Sequence, residues 1–219
     1  MIRALLAAAF LASAGSATAE DVEREAGPLP RLFPHRETYL DLPPDERSRF
    51  RLDYVVASQQ GVPPEDIRIW YEHEGERIEL ALTGTGRITN PPDAGALAAE
   101  PTVWVNQPGG SMALTMLFAY AGEPATRYER GDLLGGLSQA NRAMRRAAGV
   151  AALFAPNFKT VIFEFDGPAP EAWAVDEDGS RTALTVQEDR ALFRPRDREN
   201  RSVSHVEFGR EPVRVLFDS

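Results

Sequence analysis

Residues 69–80 read IWYEHEGERIEL, with His73 set between Glu72 and Glu74 and close to Trp70 and Tyr71. An imidazole flanked by two carboxylates has the donor types of a metal site or an acid–base pair, provided that the three side chains converge. The flanking pattern argues against convergence. Apolar residues fall at 67, 69 and 71 and again at 78, 80 and 82, the period of two half-buried strands. Successive side chains of a strand point to opposite faces, so His73 shares a face with Ile69 and Tyr71 while Glu72 and Glu74 point away. Gly75 then supplies a polar hairpin turn. His73 is therefore expected to be a dispensable turn residue.

The remaining candidates are scattered. His35 lies in the Pro-flanked stretch FPHRE and His205 in the strand-like SVSHVEF, so the three histidines sit on three separate elements. Ser111 follows Pro-Gly-Gly but lacks the Gly-x-Ser-x-Gly frame that exposes a nucleophile at a strand-to-helix turn. Arg142, Arg145 and Arg146 form a basic helix patch, expected to be a solvated face near a helix C-terminus. Glu164 and Asp166 alternate in FEFD, and Asp53 stands on the first long strand. Two carboxylates facing each other could cleave a glycosidic bond, but the same period-two placement describes a solvated strand face. No phosphate loop, dinucleotide fingerprint or zinc-protease helix occurs. No catalytic, cofactor-binding or metal-binding residue is assigned.

Around these residues the composition sets limits. The chain has 219 residues, no cysteine and a formal net charge of −9. Disulfide and thiolate chemistry are ruled out, and stability has to come from burial. The acidic balance lacks the basic stripe that nucleic-acid binding requires, and it disfavours anionic membrane surfaces. Of 24 basic residues only Lys159 is lysine, a usage that points to a GC-rich bacterial genome.

Residues 1–19, MIRALLAAAFLASAGSATA, combine a basic start, a short apolar run and an A-x-A site, the plan of a secretory signal peptide. The apolar run is well short of the ~20 residues that a membrane span needs. Export to the periplasm, or secretion, follows as the expectation, with cleavage near Ala19 and no integral membrane segment in the mature chain.

The rest reads as a mainly β (α+β) fold. Residues 20–47 are expected to be an extended N-terminal segment ending in a helical turn near Pro44. A first β-unit covers 48–121, a helical connector 127–155 and a second β-unit 158–219. In the connector, Leu133, Leu137, Ala140, Met144, Ala147 and Ala151 form one apolar stripe, with Asp132 as the expected N-cap. The β-units resemble each other at an offset of 104: Gly75 meets Gly179, Arg77 meets Arg181, Leu80 meets Leu184 and Pro91 meets Pro195. This suggests an internal duplication giving two tandem antiparallel β-sandwich-like units separated by one amphipathic helix. The functional expectation is an exported, non-catalytic binding or scaffold protein of the bacterial cell envelope, its partner an unknown envelope protein or glycan. The alternative is a hydrolase acting on envelope glycans or peptides through paired carboxylates. Intact-mass measurement of the exported protein is expected to give a chain starting at Glu20; retention of Met1–Ala19 would refute the signal peptide.

Overall fold

The computed structural model describes residues 23–149 and 157–219. The leader expected over 1–19 and Ala151 of the apolar stripe lie outside these residues. The described residues are mainly strand, arranged in antiparallel sheets that do not close into a barrel. Among them no helix is long and apolar enough to cross a membrane.

The first half runs β1 (Arg24–Pro28), α1 (Leu29–Leu32), α2 (Arg36–Leu40), β2 (Phe50–Ser58), β3 (Ile69–His73), β4 (Glu76–Glu79), α3 (Ala94–Ala99), β5 (Thr102–Val105) and β6 (Met112–Tyr120). The second runs β7 (Arg127–Glu129), α4 (Arg130–Ala148), β8 (Thr160–Glu164), β9 (Ala172–Asp176), β10 (Arg181–Ala183), β11 (Thr185–Gln187), β12 (Arg190–Phe193), β13 (Val203–Phe208) and β14 (Arg214–Asp218). A central six-stranded sheet has the order β11-β12-β8-β14-β6-β2. Two four-stranded sheets have the orders β1-β5-β3-β4 and β7-β13-β9-β10.

The pairings of the two halves run in parallel. β2 pairs with β6 as β8 pairs with β14, and β3 lies between β4 and β5 as β9 lies between β10 and β13. β1 adds to β5 as β7 adds to β13. The chain also leaves the flanking sheet at matching places. The Leu80 amide donates to the Ile69 carbonyl at 2.8 Å, and the Leu184 amide donates to the Ala172 carbonyl at 2.9 Å. At Leu184 the chain passes from β10, in the flanking sheet, to β11, at the edge of the central one.

Alternation builds the core. Phe50, Leu52, Tyr54 and Val56 of β2 are buried on the inner face, as are Val161 and Phe163 of β8. Phe163 meets Phe208 of β13 at 4.6 Å and Tyr128 of β7 at 5.2 Å, so the central sheet packs on the second flanking sheet through aromatic rings.

Three departures from the sequence expectation have physical causes. Of the segment 20–47, the described residues 23–47 are not simply extended. β1 hydrogen-bonds to β5, and the helical turns after it carry Leu29 and Phe33 into the core, where both are almost fully buried. The segment 127–155 is more than a connector, because β7 is a sheet strand that leads directly into α4. Asp132 is not the N-cap: Glu129 holds that position, and Asp132 sits in the first turn, 3.5 Å from Arg49. In addition, α3 forms where the sequence reads as a Pro-rich turn. Asp93 caps it by accepting the Ala96 amide at 2.8 Å.

α4 explains its own glycines. A Cβ on Gly136 would lie 2.6 Å from Phe217 Cζ and 2.9 Å from the Arg49 carbonyl, so only glycine lets the helix come this close. Leu133, Leu137 and Ala140 are fully buried, Met144 is partly buried, and Arg142, Arg145 and Arg146 are exposed. Leu137→Ala is expected to cost about 2–5 kcal/mol, the range for emptying a closed core site. Arg145→Ala is expected to stay within about 0.5 kcal/mol, as exposed substitutions do. Urea denaturation midpoints check both.

Candidate ligand-binding surface

The inner face of the central sheet is covered, so function is sought on its outer face. The alternation that buries Phe50, Leu52, Tyr54 and Val56 turns Arg51, Asp53 and Val55 outward. On the neighbouring strands the register places Leu117 opposite Asp53 and Thr115 opposite Val55. It also aligns Arg190, Glu164 and Arg214 in one cross-strand row, with Ile162 next to Leu216 in the row beside it.

Glu164 is the centre of that first row. Its side chain is almost fully buried, and its Oε2 accepts from Arg214 Nε at 2.7 Å and Nη2 at 2.6 Å. Arg190 Nη2 reaches Oε1 at 2.7 Å. A carboxylate held by two guanidiniums has few lone pairs left for a substrate and no freedom to approach one. Beside it Val55, Leu117, Ile162 and Leu216 floor a shallow groove of about 390 Å³, with Arg190 and Arg214 at its rim. The groove thus offers an apolar floor and guanidinium donors.

Asp53, on β2, lies three strand steps from β8 in the same sheet. Its Oδ1 accepts from Arg51 Nε at 2.8 Å, and its buried Oδ2 has no hydrogen-bond partner among the described residues. β6 and β14 intervene between β2 and β8. At about 4.8 Å per strand step the two carboxylates stand at least roughly 14 Å apart, beyond the roughly 5–9.5 Å of paired-carboxylate hydrolysis. Asp166 is exposed, past the end of β8. The structure therefore does not bring Asp53, Glu164 and Asp166 together.

The other candidates are also apart. His73 ends β3, opposite Glu76, and is half-buried. The loop between them is the two-residue Glu74-Gly75, with φ of 53° and 81°. Positive φ at both positions is the signature of a tight hairpin whose twist matches its strands. His35 is exposed, with a φ of 61° ahead of α2. His205 is buried on β13, its Nδ1 2.7 Å from Ser204 Oγ. Ser111 is buried, and its hydroxyl donates to the Pro108 carbonyl at 2.7 Å, closing a turn. Among the described residues no group of three or more His, Asp or Glu side chains is placed to hold a metal ion.

Arg190 and Arg214 were not singled out by the sequence reading. The available signal was alternation: Arg214 precedes Leu216 by two residues as Arg190 precedes Leu192, which puts each arginine on a definite face. The cross-strand register that joins them to Glu164 has no local trace. No protein-family model, curated protein or solved structure matches the chain.

Removing Glu164 would leave two facing guanidiniums without their shared anion. Glu164→Ala is expected to destabilise the fold by about 3–5 kcal/mol, the cost of breaking a buried ion pair. His73→Ala is expected to change stability by no more than about 0.5 kcal/mol. Equal unfolding midpoints for the two variants would show that the clamp is not structural.

Proposed function

We propose that this chain is an exported, non-catalytic binding or scaffold module of the bacterial cell envelope, and that it meets its partner through the outer groove of the six-stranded sheet. The observation that carries the reading is the state of Glu164. This deeply buried carboxylate of the outer face is committed to Arg190 and Arg214, and Asp53 stands too far away to work with it. What remains at the surface is shape, apolar area and guanidinium donors, which suit recognition better than turnover. The leader-like residues 1–19 support export, and the acidic balance supports a partner other than nucleic acid.

The same proposal includes the architecture. Matching pairings in the two halves support an internal duplication of one β-unit, each with a sandwich-like half formed by its flanking sheet and its share of the central sheet. The duplicated unit starts at β1 and β7, so each copy is a strand, a helical segment and a strand meander. The hairpins at Gly75 and Gly179 differ: two residues separate the last pair of β3 and β4, while the Asp176–Ser180 bond encloses three.

The test is affinity capture from a periplasmic extract with the tagged exported protein, followed by mass spectrometry, beside a Leu117→Asp variant that places a charge in the groove. Enrichment of a defined envelope component that the variant loses supports the reading. Equal capture by both proteins removes the groove from the proposal. Release of peptidoglycan fragments by the wild type but not by Glu164→Gln would restore the hydrolase.

A further inference from the structure

The outer face of the second flanking sheet carries a separate feature. Trp173 on β9 stands in a cross-strand row with Ala183, Glu207 and Arg127. It is half-buried, and a shallow cleft of about 410 Å³ opens beside it, lined also by Glu171 and Arg181. This size falls within the roughly 300–1,000 Å³ of small-molecule sites. Arg181 is ion-paired with Glu207, and among the described residues no guanidinium lies over the Trp173 ring.

The first flanking sheet shows what a closed version looks like. Trp70 takes the matching place on β3, between β4 and β5. There Arg77 lies over the indole at 4.0 Å, and Trp70 is only 4% exposed. Its neighbour on β5 is Trp104, where β13 presents Glu207 to Trp173. A glutamate in that place draws the arginine sideways and leaves the second indole uncovered.

We propose that the Trp173 cleft binds a neutral saccharide. An indole face accepts the apolar C–H face of a pyranose ring, and its edge contacts are left to polar groups. Those groups are balanced in the lining of the cleft, with Glu171 and Glu207 as acceptors and Arg127 and Arg181 as donors; Arg181 is shared with Glu207 and Arg127 with Glu129 at 2.8 Å, which leaves each guanidinium N–H groups for a ligand. A polyol both donates and accepts, so it satisfies both sets at once. A ligand with net charge of either sign meets as much repulsion as attraction. The site lies on a different sheet from the Arg190–Arg214 groove and does not depend on it.

The purified exported protein is titrated with maltotriose and with chitotriose, two neutral trisaccharides, read by tryptophan fluorescence and calorimetry. Saturable binding of at least one is expected. Trp173→Ala should abolish it, Glu207→Gln should weaken it by about tenfold or more, since a hydrogen bond to a charged group is lost, and Trp104→Ala and Arg190→Ala should leave it unchanged. Near-ultraviolet circular dichroism confirms that each variant is folded; if Trp173→Ala is not, Glu207→Gln and Arg181→Ala decide the matter. No saturable binding of either trisaccharide overturns the proposal, as does binding that survives in Trp173→Ala or Glu207→Gln. Self-association that Trp173→Ala abolishes also overturns it, because a second copy then fills the cleft.

Discussion

The two halves of this protein meet along a narrow seam, and α4 is the clasp that holds it. In the central sheet β6 and β14 are registered through the single pair Ala119 and Leu216. So short a ladder is a weak joint. α4 lies across it, near enough for Gly136 to touch both Phe217 and the backbone of Arg49. Two amide side chains then fix the helix to each side. Gln139 accepts the Arg49 amide at 2.8 Å and donates to the Asp45 carbonyl at 2.8 Å. Asn141, fully buried, accepts the Phe158 amide at 2.7 Å and donates to its carbonyl at 2.9 Å. Asn141 thereby serves both backbone groups of Phe158, just ahead of β8, and an apolar residue in its place would orphan both. The sheet is continuous because the helix makes it so.

A continuous sheet with one covered face must leave the other to water or to a partner. This explains the distribution of charge. Burying Glu164 alone would be costly, and two arginines compensate it through charge-assisted bonds. The arrangement is the ordinary solution for a carboxylate that alternation places on a tightly packed face. Asp53 is less completely served. Its second oxygen is an unpaired buried acceptor, a cost on the order of 1–3 kcal/mol. The two acids therefore differ in kind even though they share a face: one is a structural anion, the other an incompletely satisfied one.

Much of the strand pattern was legible in the sequence because alternation is local. FRLDYVVA, TVIFEF and VRVLF each carry their faces in their own spelling. The stripe of α4 was legible for the same reason, through Leu133, Leu137 and Ala140. What was not legible depended on distance along the chain. The sheet strand at Arg24–Pro28 owes its state to β5, some eighty residues on, and the arginines of the Glu164 clamp come from two later strands. α3 escaped notice because Pro91 and Pro92 read as a turn, whereas they lead to the cap at Asp93. Asp53 and Glu164 share the outer face yet are buried where the alternation read as a solvated face, and their separation follows from strand order, which no single strand encodes.

The two flanking sheets, whose strands pair in matching order, treat a tryptophan differently. Both place a tryptophan at the centre of the outer face of a flanking sheet, and both follow it with a hairpin and an arginine. In the first, Arg77 covers the ring, Trp104 stands opposite it on β5, and Trp70 is buried. In the second, Glu207 competes for the arginine. An ion pair at the surface gains little stability, so what the glutamate chiefly changes is which surface Arg181 covers. One side chain thus decides whether an indole is part of the protein's interior or part of its contact with the outside. The strands around the two rings pair in the same order although their hairpins differ in length, and the fold does not need Trp173 uncovered. The closed arrangement around Trp70 is the one that buries more apolar area and would be favoured if stability alone were at issue.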